Sequence, residues 1–486
     1  MLTLVLLILP LIASLVLLAT RGNASRSLAL LFSLVQLGIT FYVWNEFRNT
    51  LAADLPAKFG FIKDWISRPN ISFNIGLDGI SMVMVILTNL LLPLIILSGF
   101  NRTIDRPHIF YSLMMLMQSA LIGVFVSFDG LLYYIFWELA LIPIYFIAFN
   151  WGGVNRKAVT LKFFIYTLAG SLLMLFGFIF LYWSNPLHNF NWNDLVNNHT
   201  CGCNQTWLFW LFFAAFAIKI PIVPFHTWQP DTYKEAPTQG TMLLSGIMLK
   251  MGLYSLIRWL LPIIPSGVMQ WNSLAIALCA AGIVYASIIA IMQQDLKKLF
   301  AYSSIAHVGL IAAGIFAINV QGLQGSMVQM LAHGINVVGL FFCADIIFNR
   351  TQSNHVEGIG GIRLVAPQFA TYFMIVVLAS LALPLTNGFV GEFMLLYGLY
   401  EYNHWLAVTG GLTIILGAVY MLRMYQKVML GESVMENMSF PDLLWNEKVV
   451  LISIAVLIFF FGLYPKAILE LSEPAVNFII EKSLIK

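Results

Sequence analysis

Apolar runs of roughly 20 residues, about fourteen in all and each long enough to cross a bilayer, follow one another along this chain with little between them. They lie near 1–20, 27–44, 78–99, 110–127, 130–149, 158–184, 206–225, 238–260, 271–292, 299–318, 322–348, 368–402, 404–430 and 447–466. Only 10% of the residues are charged, against about 25% in soluble domains, and mean hydropathy is +0.86. The expected fold class is an all-α polytopic membrane protein, a single membrane domain over 1–486. The longest connections, 45–77 and 185–205, are too short for soluble domains, so soluble chemistry belongs to a partner.

Basic residues set the expected orientation, because cytoplasmic loops retain Lys and Arg. Loops after odd-numbered runs hold Arg21, Arg26, Arg102, Arg106, Arg156, Lys157, Lys297 and Lys298, while the opposite loops are poor in them. Both termini are therefore expected outside, with the first run an uncleaved anchor, since no basic residue precedes it. The net charge of +3 follows from this topology and implies no nucleic-acid partner. Cys279 and Cys343 fall inside runs and read as inert. Cys201 and Cys203, in an outer loop, form a C-x-C pair that is open to oxidation but makes a poor metal site.

Two runs are broken by proline. In AFAIKIPIVPF, Pro221 and Pro224 lack amide hydrogens and clash with the carbonyls of Ala217 and Ile220; in LALPLTNGFVGEF, Pro384 does the same to Ser380, with Gly388 and Gly391 after it. Freed backbone inside a membrane survives only where protein or water satisfies it, and a pair of such breaks points to inverted repeats. Pro221 and Pro384 stand 163 residues apart, and Glu138 and His307 stand 169 apart; each separation is five runs, an odd number that reverses orientation. The expectation is an N-terminal segment, 1–105, a first five-helix repeat, 106–265, an inverted second repeat, 266–432, and a last helix with tail, 433–486.

Four charges lie deep within runs: Glu138, Lys219, Lys250 and Glu392. Each costs about 2.5 kcal/mol or more at mid-membrane, and such residues mark functional sites by default. A buried carboxylate must carry its proton or stand beside a cation. Glu138 in FWELALIPIYF and Lys219 just before the Pro221 break are a candidate proton-switching pair; the alternative is a static ion pair. Lys250 in GIMLKMGLYS is a second mid-run cation. His307 and His333 are relay candidates because imidazole exchanges protons near neutral pH, though a neutral buried histidine bonded to a carbonyl is common. Glu392 is the natural terminal carboxylate. Lys162 and Arg258 are expected to snorkel from run ends; Asp295, Lys297 and Lys298 mark a cytoplasmic turn, and Asp231 and Glu235 either line an entrance or are solvated loop charges. The sequence has no phosphate-loop motif, no dinucleotide fingerprint, no iron–sulfur run and no haem motif, so the driving energy is expected from elsewhere.

The stretches WELALIPIYF, AIKIPIVPFHTWQPDTYKEAPT, SGIMLKMGLY, QQDLKKLFAYSSIAHVG and NGFVGEFMLLYGLY together resemble the antiporter-like subunits of respiratory complex I, in order and over nearly the whole chain. Glu392 separates the chain from the sister subunits L and N, which usually carry lysine there. The resemblance implies inverted five-helix repeats whose half-channels meet on a mid-membrane polar axis. It implies that Glu138 modulates Lys219, which passes a proton to Lys250 and on through water, near His307 and His333, to Glu392. It implies no cofactor or metal in this chain, with flavin, iron–sulfur clusters and quinone in partner subunits, and neighbours that include L and N in a bacterial inner membrane. A sodium/proton antiporter or membrane-bound hydrogenase subunit is the rival reading.

Overall fold

Lipid offers backbone groups no hydrogen bonds, so apolar runs satisfy their own by coiling. The computed structural model describes residues 1–20, 22, 24–49, 57–197, 202–430 and 440–484. Among the described residues, twelve helices are long and apolar enough to cross a membrane. Those that frame the buried charges begin with α1 (Leu2–Ala19), α2 (Ala24–Asn49), α3 (Gly79–Ser98), α4 (Pro107–Val126), α5 (Gly130–Trp151) and α6 (Arg156–Ser184). The short α7 (Trp192–Asn197) precedes the first broken run, which forms α8 (Gly202–Lys219) and α9 (Gln229–Glu235). Next come α10 (Thr238–Leu260), α11 (Pro265–Met292), α12 (Leu296–Phe316) and α13 (Val320–Thr351). After the short α14 (Ile362–Val365), the second broken run divides into α15 (Pro367–Ser380) and α16 (Asn387–Tyr402). The helices α17 (His404–Leu430) and α18 (Trp445–Leu463) follow. Cys201 and the side chain of Cys203 lie outside the described residues.

Carbonyls around each break find other donors. Ala217 O accepts from the Ile222 amide at 2.9 Å and Ile218 O from Trp228 Nε1 at 2.9 Å. In the second break, Leu378 O accepts from the Leu383 amide at 3.1 Å, and Ala379 O from Asn336 Nδ2 at 3.1 Å. Helices α3, α10, α12 and α13 are enclosed along nearly their whole length, whereas α2 and α17 turn most of theirs outward. Lys250, His307 and His333 sit on three of the four enclosed helices. Polar side chains fasten the N-terminal helices: Gln118 Nε2 donates to Asn89 Oδ1 at 2.7 Å and Asn89 Nδ2 to Thr40 Oγ1 at 2.8 Å, as expected where lipid offers no competing hydrophobic drive.

Two elements lie outside the expected apolar runs, and one of them is not helical. The 45–77 connection contains an antiparallel hairpin, β1 (Lys58–Ile66) with β2 (Ile71–Leu77), possible because it lies beyond the apolar runs. It is fixed to the α4–α5 turn by Phe128 N donating to Asn74 O at 2.9 Å. The tail forms α19 (Lys466–Leu484), which packs across α3 and α13 and donates from Ser472 Oγ to Gln324 Oε1 at 2.8 Å. The start of α3 admits this helix because Gly79 has no side chain; a Cβ there would sit 1.9 Å from Leu471 O. Backbone cannot yield that much, so Gly79→Ala should loosen α19 and destabilise the protein by about 1–3 kcal/mol, read as faster proteolysis of the tail; unchanged cleavage and melting would refute the contact.

Three charged residues expected at the periphery are buried: Arg258, Lys297 and Asp295, the last 3.4 Å from Lys234 and capping α12. Arg258 is 1% exposed and pairs with Asp78, its guanidinium 4.8 Å from the Phe128 ring and 5.0 Å from that of Trp192. It does not snorkel, because aromatic faces and a carboxylate replace its water. Lys297 is also buried and donates to Ala236 O at 3.3 Å. Lys162 behaves as expected: it is partly exposed, 2.8 Å from Thr227 O and 3.7 Å from Asp231. Asp231 also meets Lys298 at 3.0 Å.

Candidate functional site: a buried line of proton-exchanging groups

The six residues marked by sequence fall into two groups. The first joins α5 to α8. Lys219 ends α8, where its charge complements the helix's negative pole, and it is buried with Nζ 5.3 Å from the Trp137 ring. Its ammonium makes no hydrogen bond, and Glu138 Oε1 is likewise buried without a partner. The two charges interact through space. Glu138 is half-buried, and Tyr134, one turn earlier, interacts with it. This is an unlatched pair rather than a closed ion pair, so small shifts of α5 against α8 change the field at Lys219.

The second group spans α10, α12, α13 and α16. Lys250 is wholly enclosed; its Nζ donates to Ser245 O at 2.7 Å and lies 2.8 Å from His333 Nδ1. Wide π turns at Leu244–Met248 and Leu256–Leu260 flank it, a distortion frequent at functional sites. The other nitrogen of His333, Nε2, is 3.1 Å from Ser304 Oγ. The ring centroids of His333 and His307 are 6.2 Å apart. His307 Nδ1 is 2.9 Å from Glu392 Oε1, which also accepts from Gln329 Nε2 at 3.0 Å. His307 Nε2 and Glu392 Oε2 have no partner. Between the histidines lies a cavity of about 20 Å³ lined by Ser303, Ser304, Gln329 and Asn336 among others, room for about one or two waters.

A proton can cross this group by ordinary imidazole chemistry. An ammonium that donates to Nδ1 holds a neutral His333 with its own proton on Nε2, toward Ser304. Transfer from Lys250 to Nδ1, with release from Nε2, carries one proton through the ring. His307 and Glu392 are already in contact, so the next acceptor is in place.

Lys250, His333, His307 and Glu392 are therefore brought together, as are Glu138 and Lys219. No side-chain hydrogen bond among the described residues links Lys219 to Lys250. Sequence reading passed over Ser304, Gln329 and Asn336, all buried in the wall of this cavity. Their signal was present as polar residues inside apolar runs, but an amide or hydroxyl costs far less there than a charge and stands out less.

The family model described as NADH:quinone oxidoreductase/Mrp antiporter, TM, matches residues 127–417, a span that contains all six residues marked by sequence. NADH-quinone oxidoreductase subunit M of Rickettsia bellii is 38% identical over 460 residues, covering 93% of this chain and 92% of its own. NADH-ubiquinone oxidoreductase chain 4 of Marchantia polymorpha is 35% identical over 483 residues, covering 98% and 96%. A chain of respiratory complex I from Thermus thermophilus with bound NADH superposes with a TM-score of 0.90 at 27% identity, covering 99% of this chain and 100% of that one. A matched model over more than half the sequence, relatives of equal length and a superposable fold lead to one assignment: this chain belongs to the antiporter-like membrane subunits of NADH:quinone oxidoreductase, the subunit M and chain 4 family.

Proposed function

We propose that the chain moves protons across a bacterial inner membrane as part of complex I, driven by electron transfer from NADH to quinone in partner subunits. Flavin, iron–sulfur clusters and quinone belong to those partners, and the neighbours in the membrane include the sister subunits L and N. The observation that carries this reading is the pair of buried contacts, Lys250 with His333 and His307 with Glu392, whose histidine rings stand 6.2 Å apart beside a cavity that both line.

In the proposed cycle a shift of α5 moves Glu138 relative to Lys219. The Lys219 proton is released when Glu138 withdraws and regained when it returns, since a nearby carboxylate favours the ammonium. Water bridges Lys219 to Lys250; His333, cavity water, His307 and Glu392 follow. Residues 106–265 and 266–432 act as inverted repeats, and both termini lie on the outer side. Moving one charge against 100 mV takes about 2.3 kcal/mol, within reach of a moving carboxylate beside a buried cation.

The test uses the assembled complex. Glu138→Gln and Lys219→Ala should each lower proton uptake into vesicles and coupled quinone reduction by about tenfold or more. Normal assembly with both rates at wild-type level would overturn the relay. The second reading, a multisubunit sodium/proton antiporter, is favoured by the breadth of the family description; copurified polypeptides without NADH-oxidising subunits would select it.

A further inference from the structure

One cleft is unused by this relay. At the end of the molecule where the basic loop residues gather, α11, α12, α17 and the segment 356–357 enclose about 140 Å³ lined by Gln293, Gln294, Glu357, Tyr420, Arg423 and Lys427 among others. Such a polar, charged wall holds water. The inner cavity beside His307 and His333 is lined by Ser303. The walls of the two spaces meet at a hydrogen bond. Tyr420 forms part of the cleft wall, and its hydroxyl donates to Ser303 Oγ at 3.0 Å. The ring is 1% exposed, so it closes the passage in this state. Next to it, one turn earlier on α17, Gly417 has no side chain; a Cβ there would already be in van der Waals contact with the Tyr420 hydroxyl and Leu381, 3.6 Å from each.

We propose that Tyr420 and Ser303 form a gate that admits protons from the basic end of the molecule directly to the His307 and His333 cavity. The inference rests on the relay reading and adds an inlet to it within residues 266–432. The step balances. A proton from cleft water reaches the Tyr420 oxygen while the phenol's own proton passes to Ser303 Oγ, and the Ser303 proton moves on to cavity water or a histidine. Each hydroxyl ends with the proton count it began with and must rotate back before the next transfer. Tyr420 is a positioning and gating residue, since it reaches the histidines only through Ser303 and the cavity.

Two measurements on the assembled complex in oriented vesicles test the gate. In the first, Val337→Cys places a thiol in the cavity wall, and Ag⁺, small enough for a narrow passage, is added on the basic side. Blocking of this thiol should run about tenfold faster during turnover with NADH and quinone than at rest, and Tyr420→Ala should make it fast at rest. In the second, Tyr420→Phe keeps the ring but removes the donor, and should lower proton uptake by about tenfold; Ser303→Ala should match it, while Ser303→Thr, which retains a hydroxyl, should stay near wild type. Blocking that is absent from the basic side, or the same at rest and in turnover, would make the pair a fixed wall and overturn the gate. So would normal uptake in Tyr420→Phe, which decides the question even if Tyr420→Ala fails to assemble. The relay is judged separately, because normal pumping in Lys219→Ala would defeat it whatever the thiol does.

Discussion

Lys250→Met should lower proton uptake and the quinone reduction coupled to it roughly a hundredfold, and Lys250→Arg should fail nearly as badly. The two variants separate the reasons a cation might be buried here. Among the described residues, Lys250 touches only Ser245 O and His333 Nδ1 as hydrogen-bonding groups, with no carboxylate on its ammonium. If its charge served packing alone, arginine would restore much of it. A relay needs a group that surrenders its proton, and a guanidinium stays protonated under all ordinary conditions. Methionine matches the length and flexibility of the lysine stem without its charge, so assembly should survive. Proton uptake above about half the wild-type rate in Lys250→Arg would show that no deprotonation occurs at this position.

Asp78→Ala should destabilise the subunit by about 3–5 kcal/mol, the usual consequence of leaving one member of a buried ion pair without its partner. Asp78 both pairs with Arg258 and caps α3, accepting from the Ser81 amide at 2.8 Å. Arg258 in turn joins the ends of α3 and α10, the α4–α5 turn and α7; its carbonyl accepts from Trp192 Nε1 at 2.8 Å. Removing the carboxylate strands a guanidinium among Phe128, Trp192 and Tyr254. The double change Asp78→Asn with Arg258→Met removes both charges and keeps a side-chain acceptor for the cap, so it should recover at least about half of the loss. Thermal melting of the purified complex, with the double-mutant cycle, reads this directly. A double variant no better than Asp78→Ala would mean that the unpaired charge does not set the cost.

Much of this molecule was legible because lipid acts on the chain one segment at a time. The broken runs were visible as Pro221, Pro224 and Pro384, since an imino acid removes a backbone donor wherever it stands. Glu138, Lys219, Lys250 and Glu392 were visible because a charge within an apolar run is costly before any partner is known. The hairpin and α19 were not expected: both lie outside the apolar runs, where water lets the backbone choose among several conformations. Arg258 was misplaced for a related reason. Its position near a run end permits snorkelling, and only the convergence of Asp78, Phe128 and Trp192 from distant stretches of the chain gives it a buried home.

The sequence by itself determined that the chain is a multi-helix membrane protein, where two of its helices break, and which charges lie at depth, because each of these follows from the solvation of a segment by lipid. Tertiary structure alone decided that Lys250 meets His333 while Lys219 meets no hydrogen-bond partner, that His307 meets Glu392, and that Tyr420 closes on Ser303. Those pairings depend on how α5, α8, α10, α12, α13, α16 and α17 pack side by side, and contacts between residues some tens to more than a hundred positions apart are fixed by shape complementarity between helices rather than by any local preference.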